Sequence, residues 1–340
     1  MGLFDWLLPG KARPPEDPDQ EAGIERLVQA IDPRLKALSG TAARLGPSVT
    51  RALEFCRRSV ADLPGPLDAS PEHWRESPQL RALFARADEL QQVFSRQALV
   101  QEHLEQHPGE PMLYAILGAV LQEKKGFGVA LNGDALQHDV AVTTLNFENH
   151  RLYLPSSGAA QLEHDLVWAL FDQLGLEILA RLSAMKENQA DLQEEIALLR
   201  TQLAHLEHQG LGQVFCGDGG EPQGESCAHL AARLADRLKA RQEALSQSRR
   251  QLLTLDDTLA WIADTLAEPE DLVDVDVLDY RVDSVNQLVG PGQPGEDLHF
   301  CHFRFTAPHP RQGVILRVSY PVAEVLPRSV LTREIERLYG

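Results

Sequence analysis

The sequence predicts an α+β, mainly helical fold: a helical N-terminal region, small antiparallel β regions and a long antiparallel coiled-coil hairpin. Three observations predict it. Apolar residues recur at helical spacing through the first third of the chain, and two β-rich stretches bounded by turn signals lie on either side of its middle. Between those stretches, two proline-free segments keep heptad spacing.

With 340 residues, 43% of them apolar and 24% charged, the chain is long enough for about two domains, or one compact domain carrying a long extension, without disulfide staples. Four segments follow from composition. Residues 1–22 form an apolar tip and a Pro-rich tether, and residues 23–158 a helical region leading into short strands. Residues 159–269 form the arm, with a Gly-rich tip loop over 209–226. Residues 270–340 form an antiparallel meander and a short helix, expected to pack with the earlier β region.

The tip reads Leu3, Phe4, Asp5, Trp6, Leu7, Leu8, followed by Lys11 and Arg13. It is too short for a secretion signal and lacks a basic segment before it. These apolar side chains require burial. A lipid interface would supply it, with Trp6 at the headgroup level and the cations on anionic lipid, and the segment resembles interfacial peptides that begin Gly-Leu-Phe-Asp. Docking of Phe4, Trp6 and Leu7 on protein, this chain's own or a partner's, is the competing reading.

From Ile24 to Leu63 the helical pattern is interrupted at Pro33 and at Gly46-Pro47, which predicts two or three short helices. Residues 64–76 read as a linker. Ser77-Pro78 is an N-cap with proline at the first helical position, and the stripe Leu80, Leu83, Phe84, Ala87, Leu90, Phe94 predicts one helix ending near Pro108. A further helix is expected over Pro111–Glu123. Short strands are then expected over 127–131, 140–147 and 152–154, turning at Asn132-Gly133-Asp134. After residue 270, strands are expected over 273–282, 298–306 and 314–320, and a last helix over 330–339.

The arm carries the strongest signal. Phe171, Gly175, Ile178, Leu182, Met185, Gln189, Leu192, Ile196, Leu199, Leu203 and Leu206 alternate in steps of four and three, as do Ala231, Leu234, Leu238, Arg241, Leu245, Ser248, Leu252, Leu255, Leu259, Ile262 and Leu266. Pairing residues whose numbers sum to 437 sets every seam position against another and puts Gln189 opposite Ser248, so the two uncharged polar positions share one layer. Residues 187–207 carry net charge -4 and the facing window 230–250 carries +4, which favours this pairing over self-pairing of either helix. Arg241, opposite Ile196, is the exception to an apolar seam.

At the tip, Cys216 and Cys227 are flanked by His205, His208 and His229, the N and S donors that zinc takes tetrahedrally. The spacing matches no compact zinc finger, so reduced thiols with scattered histidines is the simpler reading. His103 and His107 stand at i and i+4 with Glu105 between them, a spacing that could hold a metal on one face, but Glu105 is misplaced for a His-Glu-x-x-His hydrolase and the pair reads as exposed histidines suited to a helix C-terminus. Asp274, Asp276 and Asp279 read as a solvated strand face, and His299, Cys301 and Phe303 as strand packing.

No hydrolase elbow, Walker loop or kinase signature is present in the sequence. A net charge of -18 makes nucleic acid a poor partner. No run approaches the ~18 apolar residues of a membrane span, and four cysteines without a CxxC pair fit a reducing cytoplasm. The expectation is a non-catalytic cytoplasmic scaffold or adaptor. It would engage a protein partner or a second copy through the arm, with peripheral contact to the inner face of a membrane through the tip. The alternative is a zinc-dependent or redox-sensitive regulatory module at the arm tip.

Overall fold

The computed structural model describes residues 18–132, 135–215, 227–251, 254–290, 292–305 and 311–328. The fold is mixed, with a six-stranded sheet and one helix of 57 residues. The chain forms two compact units, each built from two separated stretches of sequence.

The first unit takes the described residues of 1–51 together with 175–268. Helix α1 (Pro18–Ile31) opens with Pro18 and carries Asp19 and Glu21 in its first turn, where acids suit the helix dipole. It buries Leu27, Val28 and Ile31. Helix α2 (Thr41–Ala61) begins after Gly40, whose φ of 81° lies in the left-handed region. Gly46-Pro47 does not break it, contrary to the sequence expectation. Proline at 47 deprives the Ala43 carbonyl of its helical partner, but both residues are exposed, so water can supply the bond. The Gln20 side chain meanwhile donates to the Gly46 carbonyl at 3.1 Å and to Thr50 Oγ1 at 2.8 Å, fixing α1 against this turn.

Helix α6 (Ala159–Phe215) runs without interruption through all of the first heptad segment and past the expected start of the tip loop at residue 209. At Gly175, a seam position, a Cβ would meet Leu27 Cδ1 at 3.4 Å, so α1 lies close over the glycine. The second heptad segment is not one helix. Helix α7 (Cys227–Gln251) is followed by α8 (Leu255–Leu266), and Thr254 between them is extended, at φ -127° and ψ 167°. Thr254 and Asp257 form a reciprocal capping box: Asp257 N donates to Thr254 Oγ1 at 3.1 Å and Thr254 N to Asp257 Oδ2 at 2.9 Å. The cap starts a new helix where the apolar spacing alone implies continuity. Arg44 pairs with Asp256 at 2.6 Å and Arg51 with Glu268 at 3.2 Å, tying α2 to α8 and to the chain just beyond it.

The second unit takes the described residues of 52–174 and of 269–340. The expected linker holds a two-residue strand β1 (Leu67–Asp68), followed by α3 (Pro78–Leu83), α4 (Ala87–Arg96) and α5 (Ala98–Gln106). The Ser77 hydroxyl accepts from Leu80 N at 3.2 Å, so that cap is in place. The stretch expected as one helix up to Pro108, however, holds three short helices, with the apolar stripe on the first two and on Phe84 between them. Phe84 is extended and its carbonyl accepts from the Trp74 indole at 3.1 Å. The Glu89 carboxylate then accepts from Ala85 N at 3.1 Å, just ahead of α4. These bonds replace the helical bonds a continuous helix would make.

The helix expected over Pro111–Glu123 is a strand. β2 (Met112–Asn132) pairs along its length with β3 (Ala135–Ser156), replacing the short β pieces read from sequence. The reason is burial on both faces. Leu113, Ala115, Leu117 and Ala119 enter the main core, while Ile116 and Gly118 are buried on the other face. A strand covered on both faces reads as a continuous apolar run, which spacing cannot separate from a buried helix.

Strands β4 (Val273–Val282), β5 (Glu296–Phe305) and β6 (Arg311–Pro321) complete a sheet of order β3-β2-β6-β5-β4. All these neighbours are antiparallel, and β1 adds to β6 in parallel, Leu67 facing Val318. Leu113 faces Tyr320 and Leu117 faces Leu316 across β2 and β6. The core joins Leu80, Leu90, Phe94 and Val100 from the helices, and Phe84 from the turn after α3, to Leu117, Phe300, Val318 and Tyr320 from the sheet. Phe94 and Tyr320 stack with centroids 4.2 Å apart. The helix expected over 330–339 lies outside the described residues.

Candidate functional site

The residues singled out for the arm meet. Gln189 Nε2 donates to the Ser248 carbonyl at 3.0 Å and to its hydroxyl at 3.1 Å. Around this layer the seam positions of α6 are the covered ones: Leu192, Ile196 and Leu199 are buried, and the positions between them are exposed except for half-buried Glu195. On α7, Leu234, Leu238 and Leu245 are half-buried while most of the intervening residues are exposed.

Arg241 finds its explanation in Glu195. Its Nε lies 2.8 Å from Glu195 Oε2, and Arg237 Nη2 lies 2.7 Å from Glu195 Oε1. One carboxylate thus receives two guanidinium groups from successive turns of α7, the arginine stem following the seam and its head turning out to the acid. The Arg237 hydrogen bond, with the charge of Arg241 beside it, holds the Glu195 carboxyl below the usual carboxylate range.

Cys216 lies outside the described residues, as do the side chains of Cys227, His205, His208 and His229; the tip zinc expectation falls there. Leu3, Phe4, Trp6, Leu7 and Leu8 lie outside them too. Asp274 and Asp276 each approach the cross-strand cation Arg304 at 3.5 Å, and Asp279 meets His299 Nδ1 at 2.6 Å, so the acidic strand face has cross-strand partners. Cys301 is buried, as is Cys56, and burial pushes their thiols up to about 11 and about 12. Such thiols are poor nucleophiles.

Two arrangements were not read from the sequence. The first is a groove of about 680 Å³ over the β2–β6 face of the second unit, lined by Ile116, Val120, Tyr153, Leu166, Leu170 and Phe303 among others, with Asn149, Arg151 and Gln173 as its polar groups. Its lining includes two non-glycine residues in the left-handed region, Asn149 (φ 58°) and Leu154 (φ 52°). Leucine there is a genuine outlier, and it stands where the β2–β3 register shifts. The lining is mainly apolar, with the amides of Asn149 and Gln173, the Arg151 guanidinium and the Tyr153 phenol as its polar groups.

The second gathers His103, His107 and Glu110. His103 is not the exposed histidine the spacing suggests: its side chain is only 10% exposed and its Nε2 lies 3.2 Å from Glu110 Oε2. His107 stacks on it, ring centroids 4.4 Å apart, and its Nδ1 lies 3.0 Å from the His103 carbonyl. Glu110 returns to the helix end because Gly109, at φ 94°, reverses the chain after Pro108. The Ser157 hydroxyl, followed by His103, holds the Glu110 carboxyl below its usual range. The histidine pair is visible in the sequence, and the Pro108-Gly109 turn is the signal that points back to Glu110.

No known protein family, no curated protein and no solved structure matches the chain. Among the described residues, no helix is long and apolar enough to cross a membrane.

Proposed function

We propose that this chain is a non-catalytic scaffold or adaptor, and that α6 and α7 pair as an antiparallel coiled-coil arm through which it captures a protein partner. The observation that carries the reading is the Gln189–Ser248 layer. Two uncharged polar residues matched in one layer of a mainly apolar seam fix register, and a fixed register presents the flanks of both helices as a constant surface. Glu195, with its two arginines, supports the same alignment. Leu198 on α6, 57% exposed, and Leu176, 48% exposed, are the apolar anchors such a surface offers.

The test is affinity capture with the full chain against its Leu176→Glu/Leu198→Glu variant, after matching their thermal midpoints. A stoichiometric partner, or a second copy seen by sedimentation, is expected with the native chain and lost with the variant. A native chain that sediments as a monomer and retains no protein overturns the reading, as does a partner held equally by both.

The apolar tip is proposed as a second contact, to an anionic lipid surface. Removing residues 1–13 is expected to abolish flotation with phosphatidylserine vesicles. Equal flotation of both chains removes the membrane clause and leaves the arm untouched.

A further inference from the structure

We infer that His103, His107 and Glu110 form a binding site for a divalent transition ion, zinc in the first instance, at the C-terminal end of α5. A ligand atom from each residue lies within 4.8 Å of one from each of the others. Around zinc, with bonds of about 2.0 to 2.2 Å, tetrahedral neighbours stand about 3.4 Å apart. His103 Nε2 and Glu110 Oε2, at 3.2 Å, already hold that spacing. The third ligand lies within 4.8 Å of the other two and needs to close by little more than an ångström, and His107 is exposed, so solvent and not packed protein borders its outer side.

The hydrogen bonds around the cluster prepare its donors. The His103 carbonyl only accepts, so the Nδ1 of His107 facing it at 3.0 Å carries the ring proton, and in the neutral imidazole the lone pair stands on Nε2. Ser157 donates to Glu110 and keeps it an anionic ligand. Metal binding replaces the His103–Glu110 hydrogen bond: Nε2 of His103 presents its lone pair and the ring proton moves to Nδ1. The helix C-terminus adds negative potential that favours a cation. Glu105, between the histidines in sequence, is engaged elsewhere, 3.1 Å from Arg328. Two imidazoles with one carboxylate select zinc, cobalt or nickel over magnesium and calcium, which prefer all-oxygen shells. Three protein ligands leave one position for water or an external donor.

The experiment is calorimetric titration of the chelator-treated full chain with Zn²⁺, and visible absorption with Co²⁺. Four chains are compared: native, His107→Ala, Glu110→Gln, and Cys216→Ser/Cys227→Ser. One equivalent is expected to bind the native chain and to raise its thermal midpoint. Binding is expected to weaken by about tenfold or more in His107→Ala and Glu110→Gln. It should be unchanged in the cysteine variant, and the Co²⁺ form should lack thiolate charge transfer. Because His107 is exposed, its metal-free variant should melt with the native chain, which separates loss of a ligand from loss of fold. Three results overturn the assignment: no stoichiometric Zn²⁺ on the native chain, equal affinity in His107→Ala, or binding that disappears with the two cysteines.

Discussion

Gln189 and Ser248, 59 residues apart in sequence, share two hydrogen bonds through one amide group. The pair stands in the only layer of the expected pairing at which both seam residues are polar and uncharged, so its position reports the register of α6 against α7.

A chain carrying Gln189→Cys and Ser248→Cys, with Cys216 and Cys227 changed to serine, should cross-link through a short bis-maleimide. Cys56 and Cys301 are buried and should not compete. A species of monomer size on a denaturing gel is expected. A covalent dimer would mean that the pairing runs between chains, and absence of any product would sink the register.

Reversing one charge of the Glu195 group should loosen the same helices. Glu195→Arg sets a third cation beside Arg237 and Arg241 and is expected to lower the thermal midpoint. Adding Arg237→Glu and Arg241→Glu should recover most of the loss, and high salt should shrink both effects because the two guanidinium groups are solvent-exposed. Equal midpoints for all three chains at low salt would remove electrostatics from the pairing.

His150 makes stability depend on pH. Its ring lies against Phe84, centroids 4.6 Å apart, and burial lowers its pKa from the ordinary 6.5, with Glu89 opposing that shift. The unfolded chain therefore takes up a proton at a pH where the folded chain does not. The contribution is present above about 6.5 and is lost as pH falls from there toward the lower folded value. The urea midpoint should drop between about pH 7.5 and pH 5.5, and His150→Phe should flatten that drop. An identical slope in the variant would assign the pH dependence to other groups.

Phe94 tests the core beneath the sheet. It is fully buried and stacked on Tyr320. Phe94→Ala should cost about 3 to 5 kcal/mol by urea denaturation, the usual range for a buried aromatic. A loss under about 1 kcal/mol would show a site that collapses around the missing ring.

The parts of the fold that were legible are those where one physical signal acts alone. Along α6 the heptad positions Leu192, Ile196 and Leu199 are buried among mostly exposed neighbours, so the helix is legible where spacing and burial coincide. The cap at Thr254 was also written in the sequence, as Thr254 followed three residues later by Asp257, but Leu255 and Leu259 continue the heptad across it and mask the break. β2 could not be read, since cover on both faces erases the alternation that marks a strand. The breaks at Phe84 and Gln97 involve neither proline nor glycine. At Phe84 the break is made by Trp74 and Glu89, whose bonds exist only in the folded chain.

The candidate sites divide in the same way. His103 and His107 are recognisable as a helical pair, whereas Glu110 joins them through the backbone angle of Gly109. The groove residues come from β2, β3, α6, β5 and β6, and nothing local connects them.

β6 lies in the middle of its sheet, between β2 and β5, and it is the last of the six strands to leave the ribosome. At roughly 5 to 20 residues per second, β2 is complete on the order of ten to forty seconds before the strand that will cover its edge exists. Through that interval the Met112–Ala119 edge, apolar on both sides, has no partner in its own chain. A chain that stalls before residue 311 would leave β2 and β5 each with a bare edge, so premature termination should yield aggregates and not a smaller folded protein.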